Sequence, residues 1–471
     1  MTDSPSAAAP RPSLWSEVRE AVRGTGADYT KIPLRRAVFL LAVPMVLELV
    51  LESTFAVVDI FFVGKLGPSA VATVGLTESY LFLLYSIAMG LAMGVTAIVA
   101  RRVGEGKAEE ASVTAVQAIW IAMLASVPFA VAGIVWGHDL LRLMGADPWT
   151  LEHGVGYMQV ALGTNVVVML LFVINAVFRG AGDAAIAMRV LWVANGLNIV
   201  LDPLLIFGIG PFPELGVQGA AVATSIGRGC GVLLQLWLLF RGGRHIRVLA
   251  EQLEWRGADA WHIVRTSLGG VGQMIIGMSS WIFLVRILAS IGSEAVAGAT
   301  ITIRVMMFTF MPAWGMSNAA ATLVGQNLGA NEPGRAESAV WHIGWYNMAY
   351  LVCISILFFL FPRQIVGVFT DDARVVAIGA EWVRIMSYSF FVYGWWMVAV
   401  QAFNGAGDTM TPTKINVVFF WLIQIPLAWY LAIGRGHAES GVFWAVFASE
   451  TSVGLYTLWL FTRGRWKTVQ V

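Results

Sequence analysis

Five acidic side chains stand inside long apolar stretches of this sequence, where chemistry or pairing must compensate their charge. They are Glu48, Glu52, Asp59, Glu78 and Asp202. Holding a charge at the centre of a membrane costs at least about 2.5–3.5 kcal/mol on insertion scales. Each acid is therefore a candidate for proton or cation binding, or for a structural ion pair.

Asp59 and Asp202 are the acids that we expect to bind an ion. Counting 1.5 Å per residue from the outer ends of the predicted helices puts Asp59, Asp202 and Thr224 at depths of about 8, 11 and 12 Å. Asn198 precedes Asp202 by four residues, so both lie on one helix face. Carboxylate, amide and hydroxyl oxygens suit Na⁺, and desolvated carboxylates would equally take up H⁺. The sequence leaves both ions open.

The other three acids have different expected roles. Arg228 lies within a predicted span at a depth close to that of Glu52, so we assign these two to a structural ion pair. Glu48 and Glu78 either face a cleft, as contacts for protons or for a charged solute, or bond to neighbouring backbone. No metal site is expected beyond one for Na⁺.

The composition explains why these acids are exceptional. Of 471 residues, 58% are hydrophobic and 13% charged, far from the balance of a soluble protein. The formal charge of +1 provides no basic field for nucleic acid, and two cysteines cannot form a disulfide scaffold. The sequence lacks a Walker loop, a nucleophile elbow and metal-ligand spacing, so we expect neither an enzyme nor a cofactor.

Twelve apolar runs are long enough to cross a bilayer as helices, each needing about 20 residues. They cover 37–64, 70–100, 112–137, 153–178, 186–209, 216–241, 262–289, 296–325, 338–361, 377–403, 412–434 and 440–462. Basic residues outside the runs fall mostly on the side of the N-terminus. This bias predicts a multi-pass protein of the cytoplasmic (inner) membrane with both termini in the cytoplasm.

A fixed offset of 225 residues relates two halves of six spans. It carries Gly67 onto Gly292, Gly90 onto Gly315, and 180–183 onto 405–408, each with the same residues. We therefore predict an all-α membrane protein of twelve transmembrane helices in two lobes, related by a pseudo-two-fold axis along the membrane normal. Its predicted parts are an N-terminal cytoplasmic tail, an N-terminal lobe, a cytoplasmic linker, a C-terminal lobe and a second tail, at 1–36, 37–241, 242–260, 261–462 and 463–471.

The five acids are not repeated. At the offset positions stand Gln273, Gly277, Leu284, Ile303 and Leu427. We read the mid-span acids as confined to the first half, which indicates an ion site in the N-terminal lobe alone.

Four short segments in order resemble the multidrug and toxic compound extrusion (MATE) transporters. They are Val58-Asp59 with Phe62-Val63-Gly64, Arg179-Gly180-Ala181-Gly182-Asp183, Asn198 to Pro203, and Gly325-Gln326-Asn327-Leu328-Gly329-Ala330. The resemblance, over about 37–462, implies export of bulky, often cationic organic compounds in exchange for H⁺ or Na⁺. It also implies that Asp59 couples transport, with Asn198 and Asp202, and that Asn175 belongs to the same network.

Several alternatives remain at this point. Another MATE subgroup couples through acids of the seventh and tenth helices, where this chain has Gln273 and, near an outer end, Glu381. A flippase for lipid-linked precursors and a receptor or assembly subunit without transport are the competing functions.

For an exporter, Met278, Met311 and Trp314 are the candidate cavity residues, because thioethers and aromatic faces accept many shapes. Its partners would be small organic cations and the lipid bilayer, not nucleic acid, and we expect a monomer.

Overall fold

The computed structural model describes residues 13–242 and 246–470, and every regular element in these ranges is helical. Proline or glycine stands at most helix boundaries, where the chain turns back. The helices are α1 (Leu14–Arg23), α2 (Leu34–Gly64), α3 (Pro68–Gly104), α4 (Ala108–Leu143), α5 (Pro148–His153), α6 (Val155–Gly163), α7 (Val166–Gly180), α8 (Ala184–Phe207), α9 (Val217–Arg241), α10 (Gly257–Ile291), α11 (Ser293–Gly329), α12 (Pro333–Leu360), α13 (Pro362–Gly367), α14 (Ala373–Ser387), α15 (Phe390–Gly405), α16 (Met410–Asn416), α17 (Ile425–Trp429) and α18 (Ala438–Thr462).

The helices confirm the predicted all-α membrane fold. Within the described ranges, nine stretches are long and apolar enough to cross a membrane, and a bent pair of helices makes a tenth. Helices α2 and α18, of 31 and 25 residues, take the places of the first and twelfth predicted spans. Around α17, π-helical turns complete one continuous stretch from Met410 to Gly434.

Two predicted spans contain a break. The span predicted at 153–178 is one membrane-length stretch, Val155–Gly180, which a turn divides into α6 and α7, and the span predicted at 377–403 bends by 64° between α14 and α15. The breaks fall at Thr164 and Ser389, which are equivalent under the 225-residue offset. Each hydroxyl donates to a carbonyl of the preceding turn, Thr164 to Val160 at 2.7 Å and Ser389 to Met386 at 2.8 Å. Such local bonds favour a helix end over continuation.

The sequence repeat is a repeat of structure. Helix α3 begins at Pro68 and ends at Gly104, and α11 begins and ends 225 residues later. The loops at the repeated 180–183 and 405–408 segments turn through Gly182 (φ 90°) and Gly407 (φ 89°), a conformation that side chains other than glycine rarely adopt.

Reciprocal glycine contacts join the two lobes. A Cβ on Gly90 of α3 would lie 2.2 Å from the backbone nitrogen of Val271 on α10, and a Cβ on Gly315 of α11 would lie 2.7 Å from Cα of Val46 on α2. The two pairs exchange under the offset, as a pseudo-two-fold axis between the lobes requires. These contacts allow the backbones to approach closely, the usual role of small residues between membrane helices.

Both described chain ends lie at one end of the bundle, which we call the terminal side. Helix α1 lies within the predicted N-terminal tail and is joined to α2 by the ion pair of Arg36 with Glu20 at 2.8 Å. The guanidinium of Arg101 donates to the carbonyl of Val469 at 2.5 Å. Of the predicted tail and linker, residues 1–12 and 243–245 lie outside the described ranges.

Candidate functional site

Asp59 of α2 and Asp202 of α8 lie side by side, close enough for their carboxyl groups to interact directly. With its amide nitrogen turned toward Asp202, Asn198 donates to Oδ2 of Asp202 at 2.9 Å and accepts from the hydroxyl of Thr224 at 2.9 Å. The reverse orientation would set the amide oxygen against a carboxylate oxygen. The structure thus brings together the four residues Asp59, Asp202, Asn198 and Thr224, which we call the aspartate cluster.

The aspartate cluster has unused oxygen atoms. Asp202 is fully buried and Asp59 half-buried, and Oδ1 of each is a buried atom without a hydrogen-bond partner. No described Lys or Arg forms an ion pair with either acid at 4 Å or less. Two adjoining carboxyl groups with free oxygens fit a shared proton or a small hard cation such as Na⁺.

Glu52 precedes Asp59 on α2 by about two helical turns, and it forms an ion pair. Its Oε1 is 3.3 Å from Nη2 of Arg228, and its Oε2 accepts from the amide of Asn195 at 2.9 Å. Arg228 also donates to the hydroxyl of Tyr85 at 3.1 Å. These contacts are those of a structural pair, and Arg228 also lines the cavity of Asp59, where its charge acts on that acid without forming an ion pair at 4 Å or less.

Glu48 is paired as well, with a residue that directly follows the span predicted at 153–178. Arg179, in the last turn of α7, donates to Oε1 of Glu48 at 2.7 Å, and Glu48 is only 3% exposed. Asn175 lies 3.5 Å from the same oxygen and accepts from Gln235 at 2.6 Å. Asn175 therefore belongs with Glu48, because its place near the terminal end of α7 is too far from the aspartate cluster.

Glu78 is exposed, and it lines the same cavity as Asp59, Tyr85, Thr224 and Arg228. It faces open space near the cluster without joining it. Of the two residues whose roles the sequence left open, Glu78 is thus the one placed at a cavity mouth, while Glu48 is bound within the protein.

The candidate cavity residues line connected spaces between and within the lobes. Met311 lies against both the cavity of Asp59 and a central cavity that holds Glu48 and Glu52. Trp314 lies against the central cavity and a further cavity in the second lobe, which Met278 also lines. A chain of three adjoining cavities thus runs from the aspartate cluster to the second lobe.

One interpretation from the sequence is wrong: the second half does contain a mid-span acid. Glu450 lies in α18, twelve residues from each end of the helix, and is 5% exposed. It lines the cavity of the second lobe. The signal was present in the sequence, as a lone acid in the predicted span 440–462. Comparing only the offset positions of the first-half acids missed it, because its own counterpart is Ser225.

The terminal side is closed by contacts between the lobes. Gln326 donates to the carbonyl of Gly180 at 3.0 Å, and Thr322 donates to that of Arg179 at 3.0 Å. Tyr29 packs on Gly182, and burial, helped by the nearby charge of Asp183, raises the pKa of its phenol to about 12. The lobes therefore meet on the terminal side, while the cavities lie farther along the bundle.

Comparison with known proteins gives one family. The sequence model of the MatE family matches residues 44–204 and 271–430, once in each lobe. A probable multidrug resistance protein NorM of Thermotoga maritima is 28% identical over 443 residues, covering 92% of this chain and 93% of that protein. An FAD transporter of Shewanella oneidensis is 26% identical over 396 residues, with 84% and 88% covered.

A solved structure with the same fold is that of a multidrug resistance MATE family transporter in an outward-facing conformation. Its TM-score against this chain is 0.86, with 23% sequence identity and coverage of 94% of this chain and 98% of that one. Its fold has twelve transmembrane helices in two lobes, which agrees with the arrangement of α2–α18.

Proposed function

The chain belongs to the MatE family of membrane transporters, and from this premise we propose that it exports organic cations in exchange for H⁺ or Na⁺. The observation that carries the proposal is the aspartate cluster, where Asp59 and Asp202 lie side by side and neither forms an ion pair at 4 Å or less with a Lys or Arg of the described residues. An ion bound there from outside would stabilise one conformation, and substrate the other, which couples their movements.

The mechanism is alternating access. The lobes at 37–241 and 261–462 rock against each other, with the linker at 242–260 between them. Contacts on the terminal side, such as that of Gln326 with the carbonyl of Gly180, hold that side closed. Both termini lie on the cytoplasmic side of the inner membrane. Because that side is closed, this conformation faces outward. The transporter acts as a monomer, since each chain supplies both lobes.

The charge of the cavities supports cationic cargo. Glu48, Glu52 and Arg179 line the central cavity, and Arg179 is engaged with Glu48. The FAD transporter of Shewanella oneidensis carries an anionic compound by its name. Among the described residues that line the central cavity here, the one basic side chain is that of Arg179, and its pairing with Glu48 leaves it less able to bind an anion. Cation export is therefore the better supported choice over flipping of a pyrophosphate-linked lipid.

Transport in proteoliposomes tests the proposal. A fluorescent organic cation should accumulate against its gradient when a pH gradient or a Na⁺ gradient is imposed separately, and the effective gradient identifies the ion. Asp59→Asn and Asp202→Asn should each reduce the driven rate by about 100-fold or more, while Glu439→Gln, a buried acid outside the cavities, should not.

Two results would count against this function. Driven transport at the wild-type rate in both aspartate variants would remove the ion site. Absence of any driven or exchange transport in the wild-type protein would favour a receptor or assembly role.

A further inference from the structure

The second lobe contains a cavity with a single carboxylate at its wall, that of Glu450. The rest of the wall is mostly apolar and aromatic, which suits an organic molecule, whereas a bare ion needs several oxygen ligands. Helices α10, α11, α15 and α18 all contribute to its wall. Glu450 lies about 18 Å from either end of α18, at the middle of the bundle.

Aromatic rings form much of the cavity wall. The ring centroids of Phe310 and Tyr393 are 4.5 Å apart and nearly parallel, and those of Tyr393 and Trp396 are 4.9 Å apart. Trp314 and Phe420 complete the aromatic lining. Aromatic faces attract cations, most strongly where water is excluded, and such cages recognise quaternary ammonium groups.

The polar atoms of this cavity lack partners. Oε2 of Glu450, Nε1 of Trp396, Oε1 of Gln273 and Oδ1 of Asn416 are all buried without a hydrogen bond. Buried polar atoms are normally satisfied, so this group of atoms offers hydrogen-bonding positions to a molecule in the cavity. The described residues of the wall include no Lys, Arg or His that would neutralise Glu450 or bind an anion.

The counterpart of Glu450 in the first lobe shows that the carboxylate is not a requirement of the repeated fold. That counterpart is Ser225, whose hydroxyl is bonded to Ala221 at 2.7 Å and to Thr164 at 2.6 Å. Glu450 also lies beyond residue 430, where the second match to the family's sequence model ends.

We propose that this cavity binds one organic monocation, with Glu450 as its anionic contact and Tyr393, Trp396 and Trp314 as its aromatic walls. The proposal rests on the proposed function for its place in transport, since it names the cargo site of the second lobe. The aspartate cluster, in the first lobe, then binds the driving ion. The driving ion and the cationic cargo therefore need not compete for one carboxylate.

Equilibrium dialysis of the purified full-length protein in detergent tests the site without any gradient. The probe is tetraphenylphosphonium, with uncharged triphenylphosphine oxide as its neutral comparison. E450Q should weaken tetraphenylphosphonium binding by about tenfold or more, the effect of losing one charge-assisted contact. Binding of the neutral probe should change by less than about twofold.

Glu439→Gln is the matched control, because it makes the same substitution on the same helix outside the cavity. Binding of tetraphenylphosphonium should be unchanged in this variant. Equal affinity of E450Q and the wild type for tetraphenylphosphonium would overturn the proposal, as would an equal loss for both probes.

A measurement on the wild-type protein covers the case in which E450Q does not fold. Dicyclohexylcarbodiimide modifies buried carboxyl groups, and peptide mass spectrometry locates the product. Tetraphenylphosphonium should protect Glu450 at a lower concentration than triphenylphosphine oxide does, and equal labelling with and without the cation would contradict the site. Neither readout depends on coupling, so a failure of ion-driven transport leaves this test intact.

Discussion

In the first lobe, Asp59 and Asp202 meet at a buried cluster of oxygens, whereas the equivalent residues of the second lobe are Leu284 and Leu427. In the second lobe, Glu450 faces an aromatic cavity, whereas its equivalent in the first lobe is Ser225. Each lobe thus has an unpaired carboxylate where the other has an uncharged side chain.

The repeated features are those that dock the lobes. Gly104 of α3 approaches the carbonyl of Gln326, and Gly329 of α11 approaches that of Arg101, each at a distance that no side chain would allow. Backbone shape determines these contacts, so both lobes need the same small residues there. The carboxylates make no such contact, and the two lobes are free to use them for different ligands.

The largest expected effect distinguishes the two carboxylate sites by which substrates lose transport in each variant. Asp202→Asn should reduce ion-driven transport by about 100-fold for cationic and neutral substrates alike, because it removes the driving ion. Glu450→Gln should reduce transport of cations by about tenfold and leave neutral substrates unaffected. Uptake assays in proteoliposomes with one substrate of each kind measure both. A similar loss for all substrates in both variants would end the distinction.

The next effect concerns the ion pair that the second lobe lacks, since Val453 stands at the position equivalent to Arg228. Arg228→Met leaves Glu52 without its cation and should lower the free energy of unfolding by about 2–4 kcal/mol. Adding Glu52→Gln should recover at least about half of that loss, because no uncompensated charge remains. Tryptophan fluorescence during unfolding in dodecyl sulfate measures these free energies. If the double variant loses the sum of the two single losses, the residues are not coupled.

The smallest effect tests the symmetry of the interface. Gly90→Ala and Gly315→Ala each place a methyl group against the backbone of the other lobe and should weaken closure of the terminal side by about 1–3 kcal/mol, to a similar extent. The readout is labelling by a membrane-impermeant maleimide of Ala321→Cys, with Cys230 and Cys353 replaced by serine. Faster labelling in one variant alone would show that the lobes do not dock symmetrically.

Much of the fold follows from the sequence, because apolar length and the 225-residue offset are properties of the chain alone. The breaks at Thr164 and Ser389 do not, since a hydroxyl inside an apolar run also occurs in unbroken helices such as α11, where Thr302 donates to the carbonyl of Gly298. Whether the helix continues depends on its neighbours.

The candidate site was predictable where residues share a helix face or a depth, as with Asn198, Asp202 and Thr224. Pairs of residues that lie at different depths in the membrane were not predictable. Arg179 directly follows the span predicted at 153–178, yet its long side chain reaches Glu48 of α2. That contact also draws Asn175 into a different group of polar residues.

The central claim is that the aspartate cluster holds the driving ion and not the cargo. Its most direct test measures, in the same proteoliposomes of Asp59→Asn, gradient-driven accumulation and equilibrium exchange of a labelled cation. We predict that accumulation disappears while exchange continues near the wild-type rate, because cargo-loaded lobes still rock. Full accumulation, or loss of exchange together with accumulation in a folded variant, would contradict the account.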